Sequence, residues 1–254
     1  MIAAPLMASL PMYDWPEIRA ATDAFWAGLA RHAGVALPLE RALAYSEPWR
    51  HPELLFSQTC GYPFTHEFKG LLSYVATPHY LAEGCDGPRY SSFVFAREHV
   101  ALKDLRGATP AINGRDSMSG MLALKLVFAP LATAGEFFAP ALVSGGHRAS
   151  LKAVREGRAD VCAVDAVCVG LARRHRTGDL DGLVEIARSP LVPALPYVTR
   201  VGDVARLRAA LAAAMVDPAL AEARAALLLG GVTVLPEGAY DVIPRLEAEV
   251  NLHL

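Results

Sequence analysis

The run Thr109–Leu124, TPAINGRDSMSGMLAL, constrains the fold more than any other stretch of the chain. Pro110-Ala111-Ile112 is a short apolar run suited to a buried strand. Asn113-Gly114 is a turn pair. Asp116, Ser117 and Ser119 then stand where a helix would begin, ahead of the apolar run Met121–Leu126. A strand, a polar turn and a helix start in that order aim unpaired backbone amides and the positive end of a helix dipole at one spot. Such a spot holds a small anion without needing a cationic side chain. The plainer reading of the same residues is a helix cap with a spare serine.

Related junctions recur. Gln58-Thr59 follows the apolar run Leu54–Ser57, Gly145–His147 follows Phe137–Val143, and Asp165 closes Asp160–Val164. Further strands are expected at Ala4–Leu10, Leu37–Leu43, Leu71–Thr77, Tyr90–Phe95, Leu183–Ala187 and Tyr197–Val201. Helical spacing runs through Ile18, Ala21, Thr22, Phe25, Trp26 and Leu29, with Gly34 as the stop. Other helices are expected at Arg148–Glu156, Val167–His175, from Asp203 to Met215, and at Val242–Leu252, with Gly230-Gly231 breaking the one opened by Asp217-Pro218. Strands alternating with helices predict an α/β fold with mostly parallel sheets. In open α/β sheets ligands bind outside the carboxyl ends of the strands. The polar junctions therefore nominate Gln58, Thr59, Ser117, Ser119, His147 and Asp165 as one convergent contact set. Tyr13, Trp15 and Tyr62 would supply apolar walls with polar tips.

Composition narrows the chemistry. The 254 residues allow one large domain or two of ordinary size, and 53% hydrophobic against 20% charged residues provides for a substantial core. A net charge of −2 from 24 basic and 26 acidic residues argues against nucleic acid as a partner. No uncharged apolar run is long enough to span a bilayer. The apolar start, MIAAPLMASLPMYDW, has no cationic leader region and reads as a first strand rather than a signal peptide. As the chain stands this predicts a cytoplasmic location. Cys60, Cys85, Cys162 and Cys168 lack zinc-site spacing. Cys60 and Cys85 sit in two glycine-containing loops after strands, so either a disulfide pairing or two unrelated thiols fits, and free thiols are expected. Arg115, two residues before Ser117, rules out a G-x-S-x-G nucleophile elbow with His147 and Asp165. His66-Glu67 lacks the second histidine of a zinc protease motif, and there is no G-x-G-x-x-G or P-loop. No enzyme activity, metal or cofactor is expected.

Four stretches carry a family resemblance: Ser9–Asp14 (SLPMYD), Ser57–Pro63 (SQTCGYP), Asn113–Met121 (NGRDSMSGM) and Gly145–Ala166 (GGHRASLKAVREGRADVCAVDA). The chain resembles the substrate-binding proteins of phosphate/phosphonate-type ABC transporters over roughly residues 4–201. The resemblance implies a type II periplasmic-binding-protein fold, two lobes closing on a ligand about a two-strand hinge. With crossings near Tyr90 and Pro196, lobe 1 would comprise residues 1–91 and 199–254, and lobe 2 residues 92–198. In that family phosphonate oxygens meet hydroxyls and amides at a helix start with an S-T-S-G-like motif. Ser117 and Ser119 match its serines, and Met118 replaces the threonine. His147 matches the pocket histidine, adding a donor and, when protonated, a positive charge. Asp165 stands where an acidic residue meets the ligand's amine or a phosphonate proton. The resemblance thus implies a periplasmic, non-enzymatic protein, a monomer or weak dimer. It would bind a small anionic or zwitterionic molecule, phosphate/phosphonate-like or a carboxylate, and feed an ABC transporter permease. The alternatives are a cytoplasmic ligand sensor, or an enzyme on the same fold acting on a small phosphorylated or pyrimidine-like compound.

Overall fold

The computed structural model describes residues 5–254, so Ala4 of the first expected strand lies outside the described residues. Two compact units form. One contains the described residues up to Leu81 together with Pro193–Ala239; the other contains Ala82–Val192 and Tyr240–Leu254. The last segment, expected in lobe 1, therefore packs with the second unit, where Ile243 and Leu252 are buried.

The first unit is built on a five-stranded sheet ordered Met7–Ser9, Leu54–Gln58, Tyr197–Thr199, Ser73–Tyr80, Leu229–Thr233. Only the first pair is parallel; the other three contacts are antiparallel. The mostly parallel expectation is thus corrected to a mixed sheet, because Tyr197–Thr199 and Leu229–Thr233 run against the strands beside them. The helix Arg19–Ala33 covers one face through Phe25, Trp26 and Leu29 and packs against the helix Val204–Val216. It ends at Gly34, whose φ of 63° a side chain would resist. Trp26 stacks on Phe56 at 5.7 Å, and Phe56 on Tyr197 at 5.2 Å.

Two expectations fail here for local reasons. Leu37–Leu43 forms no strand, only a bridge from Leu39 to Ala8. The Leu37 carbonyl is taken by the Trp26 indole at 2.8 Å, and Pro38 has no amide to give. Conversely, Gly230-Gly231 is not a break but lies inside a strand. A Cβ on Gly230 would stand 2.6 Å from the Leu81 side chain, so the glycine permits close packing against the neighbouring segment.

The second unit carries a five-stranded sheet ordered Val184–Arg188, Ser92–Ala96, Val161–Asp165, Pro110–Ile112, Leu142–Val143. It is mixed as well: the last three strands are parallel, and the first two join antiparallel. Val161–Asp165 and Ser92–Ala96 are buried throughout, as continuous apolar runs covered on both faces should be. Phe137 and Phe138, expected in the strand before His147, instead pack with Phe128, their ring centroids 4.7–5.3 Å apart. That aromatic cluster shortens the strand to Leu142–Val143.

Candidate functional site

In the second unit three parallel strands deliver their carboxyl ends to one edge. Ile112, Val143 and Asp165 end there, and the turns Asn113–Ser119 and Ser144–His147 follow the first two. Ser144 ties its turn to the neighbouring strand: its amide and hydroxyl both donate to the Ile112 carbonyl, at 2.8 and 3.1 Å.

Ser117 is extended, and its Oγ accepts from the Gly120 amide at 2.9 Å, a helix cap. The turn it caps is a π-turn, Met118–Leu122, with the Leu122 amide donating to the Ser117 carbonyl at 2.9 Å; an α-helix, Ala123–Phe128, follows. Single π-turns are rare and frequently fall at functional sites. Gly120 makes it possible: a Cβ there would fall 1.7 Å from Asn113 Oδ1. Met118 is buried at 1% exposure, facing the core where a threonine hydroxyl would have been polar.

Ser119 Oγ lies 2.8 Å from His147 Nε2, at the first residue of the helix His147–Arg155. The residue as a whole is partly accessible, but Nδ1 is out of reach of solvent. Burial pushes its pKa down to about 4, only partly offset by the Ala163 backbone. At neutral pH His147 is therefore a neutral hydrogen-bonding group, and the positive charge expected of it when protonated is confined to acid pH. Asp165 is 1% exposed, and its Oδ1 accepts from the Val167 and Cys168 amides at 2.7 and 3.3 Å, capping the helix Ala166–His175. Desolvation first, and the Asp165 charge second, push the Cys85 thiol up to about 12 and raise that of Cys168. All four thiols are free.

In the first unit the strands ending at Ser9, Gln58 and Tyr80 run the same way, so their carboxyl ends share an edge. Gln58 Nε2 donates to the Tyr80 hydroxyl at 2.9 Å and to the Leu195 carbonyl at 3.0 Å. Tyr13 meets Tyr80 edge-on at 5.5 Å, and its φ of 61° is a left-handed conformation that a tyrosine adopts at a cost of order 1–3 kcal/mol. These residues and Tyr197 line a cavity of about 30 Å³. Thr59 is fully buried, its hydroxyl donating to the Cys60 carbonyl at 3.3 Å. Tyr62 stacks flat on His66 at 3.9 Å, and half-buried Trp15 immediately precedes a short 3-10 turn, Pro16–Ile18.

The structure thus brings Ser119 and His147 into direct contact and links Tyr13 to Gln58 through Tyr80. Ser117 and Asp165 satisfy local amides, and Thr59 its own segment. Tyr80, against Tyr13 and Gln58, and His66, against Tyr62, touch expected contact residues without having been nominated from the sequence. Tyr80 lies three residues beyond the expected end of its strand at Thr77. Among the described residues no cluster of three or more His, Cys, Asp or Glu could hold a metal ion, and no helix is long and apolar enough to cross a membrane.

Against this geometry the comparisons are decisive. The model of the family described as the ABC transporter, phosphonate, periplasmic substrate-binding protein matches residues 53–233. The chain belongs to that family. It is accordingly a solute-binding protein, of a family of periplasmic binders rather than enzymes. Solved structures agree on the fold. PhnD1 from Prochlorococcus marinus, in complex with methylphosphonate, superposes with a TM-score of 0.77 at 14% identity, covering 96% of this chain and 97% of that one. A binding protein component of an ABC phosphonate transporter from Pseudomonas aeruginosa gives 0.77 at 18%, covering 96% and 86%. XAC2383 from Xanthomonas citri, bound to ATP, gives 0.69 at 20%, covering 96% and 95%. Comparison with curated protein sequences gives no match. In this phosphonate-family chain the strand Leu54–Gln58, both polar turns of the second unit and the Asp165 cap all fall within the matched region.

Proposed function

We propose that this substrate-binding protein takes a small phosphonate- or phosphate-like anion at the Ser119–His147 edge of its second unit, for an ABC transporter. The observation that carries the reading is the 2.8 Å contact between Ser119, at the start of the widened turn, and His147 Nε2, at the start of the neighbouring helix. First-turn amides attract an anion by dipoles alone, and in the tautomer with the proton on Nε2 His147 donates to Ser119 Oγ and leaves the hydroxyl proton for the ligand. Neutral donors suit a ligand that must also be released, since no buried counter-charge is left behind. Asp165, adjacent on the same edge, is a further proposed contact. Membership of a phosphonate-binding family and the methylphosphonate held by PhnD1 support the ligand class.

The test is a thermal-shift screen of methylphosphonate, inorganic phosphate, sulfate and small carboxylates. At a hundredfold excess over Kd a ligand stabilises by about 2.7 kcal/mol, so a phosphonate or phosphate should raise the melting temperature clearly. Ser119→Ala should weaken binding of that hit about tenfold or more, the consequence of one lost hydrogen bond to a charged group. A flat screen with folded, ligand-free protein, or undiminished affinity in the variant, would overturn the reading.

A further inference from the structure

The turn that carries Ser117 and Ser119 is held from outside the sheet. Arg115, two residues before Ser117, donates through Nη1 to the Leu254 carbonyl at 2.8 Å. Leu254 belongs to a segment docked firmly on the second unit. Leu252 is 2% exposed, the His253 amide donates to the Gly135 carbonyl at 2.9 Å, and His253 Nδ1 lies 3.0 Å from Glu136. Gly135 is shaped for this docking: its φ is 83°, and a Cβ there would stand 2.8 Å from the His253 ring and 3.0 Å from Asn251.

We infer that residues 251–254 are a positioning strap for the anion-holding turn, acting through Arg115. Arg115 touches no ligand in this scheme. It fixes the segment Asn113–Ser117, which is otherwise held among the described residues by the turn pair Asn113-Gly114, the Ser117 cap, the Leu122 amide on the Ser117 carbonyl and the close packing of Asn113 against Gly120. The tether acts on the exposed part of the segment, Arg115-Asp116, that leads into the buried π-turn. Preorganised turns bind more tightly than mobile ones, in proportion to the fraction of time spent in the binding geometry.

The inference rests on the reading of this turn as the ligand site, and its test separates the two. Three variants are compared with the parent: a chain ending at Val250, Arg115→Ala, and Arg115→Lys, which keeps a donor. If the tether's loss leaves the turn correctly shaped for about a tenth to a third of the time, Kd for methylphosphonate rises roughly three- to tenfold in the first two and much less in the third. Amide hydrogen exchange is measured in parallel without ligand. Exchange across residues 113–121 should quicken in the truncated chain and in Arg115→Ala, with Val161–Asp165 unchanged. Exposed Arg115 can be replaced without threatening the fold, so the point variants decide the matter if truncation unfolds the chain. Unchanged exchange at residues 113–121 overturns the strap, as does unchanged affinity in a parent that binds. A parent that binds none of the anions, with exchange quickened as expected, overturns the ligand reading and leaves the strap standing.

Discussion

His147 should make this protein acid-sensitive over a narrow window. Its imidazole is pushed from an ordinary value near 6.5 down to about 4 by burial. The unfolded chain therefore takes up a proton as the pH falls below 6.5, whereas the native chain does not until about 4. Stability is lost across that interval. Lowering the pH from 7 to 5 should cost about 2 kcal/mol through this one group, and the partial exposure of the residue makes that an upper figure. The perturbation is His147→Gln, which keeps a polar partner for Ser119 but cannot titrate. Urea denaturation of parent and variant at pH 7 and pH 5 gives two differences, and every other titrating group, including the burial-shifted His79, cancels between them. The parent should lose up to about 2 kcal/mol more than the variant between the two pH values. Parallel losses would refute the burial argument and restore a histidine that charges near pH 6.5. A consequence for binding follows. Because His147 is neutral throughout, the ratio of parent to variant affinity should stay flat between pH 6 and 8.

Two substitutions probe the turn itself. Ser117→Ala should lower stability by about 1 kcal/mol through loss of the cap to Gly120 and, because that cap also restrains the turn, should weaken binding by no more than about three- to tenfold; a larger affinity loss in calorimetric titration would make Ser117 a ligand contact. Gly120→Ala should destabilise by about 1–3 kcal/mol through overpacking against Asn113. Adding Asn113→Ala should recover part of that loss, and simple additivity in the double variant would sink the steric explanation.

The elements legible in the sequence are those where one local rule governs. Leu54–Gln58 and Val161–Asp165 are short apolar runs bounded by polar residues, and they fold as such. Asp203 before a Leu- and Ala-rich run caps its helix by accepting from the Arg206 amide at 3.1 Å, as its type predicts. What the sequence hides is decided by tertiary neighbours. A Gly-Gly pair reads as a break until Leu81 is seen packed against it. Phe137 and Phe138 read as strand until Phe128 gathers them into a cluster. Ser117 and Ser119 look equivalent two residues apart, and only the π-turn sends one to cap its own turn and the other to His147. The histidine's charge state was the least legible feature, because burial of a ring nitrogen depends on the whole surrounding shell rather than on the residues beside it in the chain.

The central strand of the first sheet, Tyr197–Thr199, has a bearing on how the chain is made. It sits between Leu54–Gln58 and Ser73–Tyr80, yet it is synthesised only after the entire segment Ala82–Val192. A nascent chain halted anywhere before Tyr197 carries those two apolar strands side by side in sequence but each with a bare edge toward the missing partner. Pairing across such a separation closes a long loop and is correspondingly slow. The unit that leaves the ribosome first must therefore be completed only after the Ala82–Val192 part of the second unit has emerged. During that delay its exposed strand edges are the part of the molecule most open to pairing with another chain.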